Sequence, residues 1–229
     1  MAELTASEVA ESLGTSRQWV TTMLRRGDLT GRQLAGGTWL IDTDSLHEFR
    51  RMHHAGRGRN WTAPTSWSVL MLLSGRPVLT GTSTGTAERM RRRIAATPAD
   101  EIARRVSGRV RWQRFTADDP AGLREAVALT GRSAAHLVDA DLAEEASIVH
   151  GYALEGGISA LLREHLLIPN AHGTVALAEV DESVPLPGPV APPAVVAADL
   201  AASPATRERS AGLRALEKMR IEWLASATR

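Results

Sequence analysis

Apolar positions recur three and four residues apart at the start of the chain. Val9 and Leu13, with Leu4 ahead of them, give one face of a short helix, and Gly14 stops it. Thr5 and Glu8 stand at the spacing of a capping box. Thr15 or Ser16 opens a second helix over residues 17–26, in which Val20, Met23 and Leu24 form the packing face. Two short helices around the corner Leu13-Gly14-Thr15-Ser16 are the sequence form of a helix-turn-helix. The period then shortens. Residues 28–34 and 38–41, separated by Gly36-Gly37, predict two strands and a glycine turn, a small wing. Asp42 or Asp44 caps a last helix through Leu46 and Phe49.

Further along, residues 68–73 read as a buried helix ended at Ser74-Gly75. Residues 87–94 and 98–106 read as a helix pair packed through Met90, Ile94, Ile102 and Val106. That packing leaves Arg89, Arg92, Arg93, Arg104 and Arg105 available to a phosphate backbone, to an acidic surface or to solvent. Alternation predicts strands at 110–115, 148–152 and 173–180. Helices are expected at 123–127 and 158–167, with a turn into a helix at 131–135. Residues 205–225 form a long amphipathic helix with Leu213, Leu216, Met219 and Ile221. The fold class expected is α+β: an N-terminal winged helix-turn-helix over 1–54, a basic linker over 55–66 and an arginine-rich helical segment over 67–115. A mixed, acidic α/β domain over 116–183 follows, then a proline-rich loop and C-terminal helix over 184–229.

Charge sharpens this division. Residues 1–60 carry 8 basic and 7 acidic side chains, 61–115 carry 10 and 3, 116–180 carry 3 and 10, and 181–229 carry 6 and 6. One basic block and one acidic block suit two different partners, or each other. Only Lys218 of the 27 basic residues is lysine, and arginine suits planar contacts to phosphate or carboxylate. The absence of cysteine excludes disulfides, thiolate nucleophiles and cysteine-bound metals. No run of about 20 apolar residues spans a membrane, and the opening residues lack the pattern of a secretory signal. A cytoplasmic protein is expected.

The helix–turn–helix–wing–helix order resembles the excisionase-like members of the MerR superfamily. The resemblance rests on Leu4-Thr5, Glu8-Val9-Ala10, Leu13-Gly14-Thr15-Ser16, Val20, Leu24, Gly27, Leu29, Gly36-Gly37, Trp39 and Asp44-Ser45-Leu46. It implies double-stranded DNA as partner, with the second helix in the major groove. Arg17 and Gln18 are then placed to reach base edges, Thr21, Arg25 and Arg26 the groove edge or phosphates, and Ser16 a phosphate beside its capping role. Arg32 and Gln33 sit near the wing, whose tip here is neutral. Arg89, Arg92 and Arg93 are the expected contacts outside this module. Residues 50–60 are either a backbone-tracking arm or a plain flexible linker. Weak binding by one module argues for a homodimer.

The whole chain also resembles the antitoxin and transcriptional regulator of abortive-infection, type IV toxin–antitoxin pairs. The residues are Trp67, the stretch 70–75, the arginine helix 89–94, the stretch 129–135 and the tail 191–200 with Arg207, Arg209 and Leu213. That implies a cognate toxin as a protein partner.

Enzymatic signals are poorer. The loop 80–86 lacks the Gly-Lys-Ser/Thr ending of a phosphate loop. Asp139 and Asp141 would share a face only in a strand, whereas residues 142–145 read as a capped helix start. Ser133 lacks a nucleophile elbow. His53 and His54 are adjacent rather than a turn apart, and His136, His150, His165 and His172 are scattered. The expectation is a DNA-binding regulator with no catalysis, no cofactor and no metal. An excisionase-type architectural factor is the runner-up, and a magnesium-dependent nuclease follows.

Overall fold

The computed structural model describes residues 3–26, 29–43, 45–46, 49, 60–77, 84–140, 142–143, 145–154, 156–181, 184, 186 and 188–227, without the side chains of 26, 84–87 and 227. It divides into two compact units, Met1–Arg57 and Gly58–Arg229. Among the described residues no helix is long and apolar enough to cross a membrane.

The first unit opens with β1 (Glu3–Thr5), then α1 (Ala6–Leu13), α2 (Arg17–Arg26), β2 (Gly31–Gln33) and β3 (Trp39–Asp42). Leu4, expected on the face of the first helix, lies instead in β1 opposite Ile41, and the antiparallel sheet runs β1-β3-β2. Thr5 ends that strand and caps α1: its hydroxyl accepts the Glu8 N–H at 3.3 Å, and the Glu8 carboxylate accepts the Thr5 N–H at 2.7 Å. Gly14 closes α1 in the left-handed region, at φ 63°, where a Cβ is disfavoured. Val9, Val20, Ile41 and Phe49 meet in one core, each at most 1% exposed. Asp42, one expected helix cap, is the last residue of β3; Asp44, the other, lies outside the described residues. Helical backbone at Ser45, Leu46 and Phe49 follows.

The second unit contains α3 (Ala63–Leu73), α4 (Thr84–Ala96), α5 (Ala99–Val106), β4 (Trp112–Thr116), α6 (Pro120–Glu125), β5 (Val127–Leu129), a 3-10 segment (Gly131–Val138) and β6 (Val149–Ala153). It continues with α7 (Gly157–Glu164), β7 (Ile168–Pro169), β8 (Val175–Glu179), α8 (Pro193–Ala201) and α9 (Thr206–Ala227). A five-stranded sheet of order β5-β6-β8-β4-β7 has β6 and β8 parallel and its other pairs antiparallel. Tyr152 and Ala178 on one face join the larger core with α3, α4, α5, α8 and α9. Val149, Val175 and Leu177 on the other pack with Leu123 of α6 and with Ile158 and Leu161 of α7. Alternation along each strand divides the side chains between these two layers.

The segments distinguished by composition after residue 67 thus share cores within one unit. Helix α3 starts at Ala63, inside the stretch expected as linker, with proline in its first turn where a missing N–H costs nothing. The expected helix at 123–127 forms earlier, capped by Asp119, and Val127 begins a strand. The helix expected from 142 does not form: Leu142, Ala143 and Glu145 are irregular. There Arg132 donates to the Ala143 carbonyl at 3.4 Å, in place of a helical N–H, and to the Glu145 carboxylate at 3.4 Å. Helix α8 is buried from Ala194 to Ala201 and, Asp199 apart, apolar all round, as a helix with no solvent face must be.

Candidate nucleic-acid interface

Helix α2 is held by its apolar face. Val20, Met23 and Leu24 are at most 8% exposed, so the opposite face is turned outward. Gln18, Thr22 and Arg25 stand at i, i+4 and i+7 along that outer face, with Thr21 beside them. Gln18 and Arg25 are exposed and Thr21 and Thr22 half-buried. Ser16 caps the helix, its hydroxyl accepting the Trp19 N–H at 3.2 Å. Arg17 is exposed beside the cap, and neither it nor Arg25 has a side-chain partner among the described residues. Trp19 meets Phe49 edge to face at 5.5 Å, which ties the helix to the end of the unit.

The Thr21 hydroxyl donates to the Arg17 carbonyl and the Thr22 hydroxyl to the Gln18 carbonyl, both at 3.0 Å. Each threonine therefore offers a base its methyl group and its two oxygen lone pairs, the hydroxyl proton being committed. The sequence reading missed Thr22, although its spacing from Gln18 and Arg25 carried the signal. The side chain of Arg26 lies outside the described residues.

The wing is less available. Arg32 makes a two-pronged ion pair with Glu3, at 2.8 and 2.9 Å, joining the two outer strands of the small sheet. The pairing holds the Glu3 carboxyl below its usual range. Gln33 donates to the Gly37 carbonyl at 3.2 Å across the turn, and the exposed tip carries Leu34 and two glycines.

In the second unit, Arg89, Arg92 and Arg93 are all exposed on α4, and Arg91 joins them. Arg104 and Arg105, expected to be available, are instead held by Glu101, at 3.3 and 2.5 Å. Spacings of three and four residues on one helix produce that pairing. The Arg93 and Arg105 guanidiniums lie 5.8 and 5.7 Å from the Trp61 ring.

The charged center of this unit is closed. Arg109 donates to Asp199 at 2.5 Å and to the Tyr152 hydroxyl at 2.8 Å, over the Trp67 ring at 5.1 Å. The Tyr152 and Thr130 hydroxyls both donate to the other Asp199 oxygen at 2.7 Å. Burial opposes the charge on Arg109, but Asp199 and Tyr152 together outweigh it and raise the pKa; burial and Asp199 push Tyr152 well up. With Arg109 and Asp199 each 1% exposed, the network serves the core and offers no approach to a substrate. Asp139 is exposed, in the left-handed region at φ 53°, and pairs with Lys218 at 3.2 Å. Asp141 lies outside the described residues, as do His53, His54 and residues 80–83 of the threonine-rich loop.

Residues 3–54 match the family described as Helix-turn-helix domain. No curated protein and no solved structure matches the chain. The N-terminal unit is therefore a DNA-binding helix-turn-helix domain, in agreement with the excisionase-like resemblance of the same residues.

Proposed function

We propose that this protein is a sequence-specific transcriptional regulator that carries out no catalysis. The observation that carries the reading is the outward line Gln18–Thr22–Arg25 on the second helix of the helix-turn-helix. A glutamine amide pairs with adenine through two hydrogen bonds, an arginine with guanine, and a threonine methyl packs on thymine. Ser16 and Arg17 at the helix start supply phosphate contacts that set the register. The second unit is an association module, through which two copies, or a protein partner such as a cognate toxin, bring enough contacts for stable occupancy. Repression follows where the bound protein overlaps a promoter.

Selecting genomic fragments on the full-length protein, then measuring affinity over a salt series, tests this. A preferred palindromic or repeated site, uncut in the presence of magnesium, is expected. The change Gln18→Ala then costs about 1–3 kcal/mol on that site and relaxes discrimination at one base pair. Binding without any preferred sequence overturns the reading. Repeated sites that are bent irrespective of a promoter favor an architectural role, and magnesium-dependent cutting a nuclease.

A further inference from the structure

We infer that the outer face of α4 is a second, sequence-independent DNA contact that grips the phosphate backbone of the duplex read by α2. This rests on the DNA-binding reading above. Met90 and Ile94, 3% and 0% exposed, fasten one side of α4 to the core of its unit. Arg220 of α9 fastens its end, donating to the carbonyls of Ile94 at 3.3 Å, Thr97 at 2.8 Å and Ala95 at 3.4 Å. The helix is thus a fixed platform, and what it presents outward is Glu88, Arg89, Arg91, Arg92 and Arg93.

Glu88 is the single acid on this face, and its ion pairs are loose: Arg91 and Arg92 both lie 3.9 Å away, with all these side chains more than half exposed. Water screens such pairs, so the face keeps most of its positive charge. Arg93 is ordered differently, by its approach to Trp61, which leaves the guanidinium edge free to donate.

The surroundings choose among polyanions. A helix that lies on a lipid surface buries an apolar side in it, but Met90 and Ile94 of α4 are already buried, and among the described residues of α4 the exposed apolar ones are Ala95 and Ala96. Arginine forks fit phosphate oxygens two at a time. Covalent joining to a unit that holds DNA gives the arginines a high effective concentration of that same backbone. Among the described residues the face offers arginine and glutamate side chains to a base edge, so it adds affinity without discrimination.

The test uses the full-length protein, its selected duplex and an unrelated duplex of equal length. Arg89, Arg91 and Arg92 are changed together to alanine, and in a second variant to lysine. Each phosphate contact contributes about 0.9 to the slope of log affinity against log salt. The alanine variant is expected to bind both duplexes more weakly by a similar factor and to lose about 2–3 from that slope. The lysine variant is expected to restore most of it. The change Gln18→Ala does the reverse, altering the preference between duplexes and leaving the slope in place. An unchanged slope in the alanine variant overturns the inference, including where that variant has lost self-association or an acidic protein partner. If the wild type prefers neither duplex while the alanine variant still loses slope, the regulator reading fails and this contact stands.

Discussion

Arg109 and Asp199 meet at 2.5 Å with 1% of either side chain exposed, across 90 residues of sequence. Their charges leave water at a cost that the pairing and the Tyr152 and Thr130 hydrogen bonds offset. Removing one partner strands the other. Asp199→Ala is expected to destabilize the second unit by about 3–5 kcal/mol. Changing both residues to leucine is expected to cost less than the sum of the single changes to leucine. Urea unfolding of the full chain, followed by tryptophan fluorescence, measures the cycle, and additive losses would contradict it.

His150 sits against Trp112, the ring centers 4.2 Å apart. Burial holds its imidazole below the ordinary 6.5, opposed by the charge of Asp199 and aided by that of Arg114. The unfolded chain therefore takes up a proton that the folded chain refuses. The stability is present above pH 6.5 and is lost as the pH falls below it. The variant His150→Gln should show a flatter fall in urea midpoint between about pH 7 and 5 than the wild type. Equal slopes would place the acid sensitivity elsewhere.

Arg25 and Arg32 both belong to the helix-turn-helix unit, but among the described residues only Arg32 is engaged, by Glu3. Arg25→Ala is expected to weaken binding to the selected DNA site by roughly tenfold, about 1.4 kcal/mol. Arg32→Ala should leave affinity within about twofold, because one edge of its guanidinium, Nε and Nη2, is already taken by the Glu3 carboxylate. Titration of the labeled selected duplex with each variant separates them; equal losses would move the wing into the interface.

Thr5 does two tasks, ending β1 and capping α1. Thr5→Ala leaves the Glu8 N–H without its acceptor and should lower the stability of the first unit by about 1 kcal/mol. The change Thr5→Ser should recover most of that. Thermal unfolding of both variants decides it, and an equal loss in the serine variant would assign the effect to the β-branched strand position.

The first unit was largely readable from the chain because its determinants are local. The capping box spans Thr5 and Glu8, the Ser16 cap reaches Trp19, and Val20, Met23 and Leu24 share a face by helical period alone. Even the neutralization of Arg105 by Glu101 was available in a spacing of four residues. Other features depend on which distant segments fold together. The Arg32–Glu3 pair needs β1 and β2 on either side of β3, and the Arg220 clamp needs α9 laid against the end of α4. The apolar run 194–198 marks a buried segment, but packing makes it a helix and brings Asp199 at its end to Arg109, Tyr152 and Thr130. Backbone hydrogen bonding and side-chain period act within a few residues and are written in sequence. A buried charge finds its partner through the tertiary fold, where the cost of leaving it alone selects the arrangement that satisfies it.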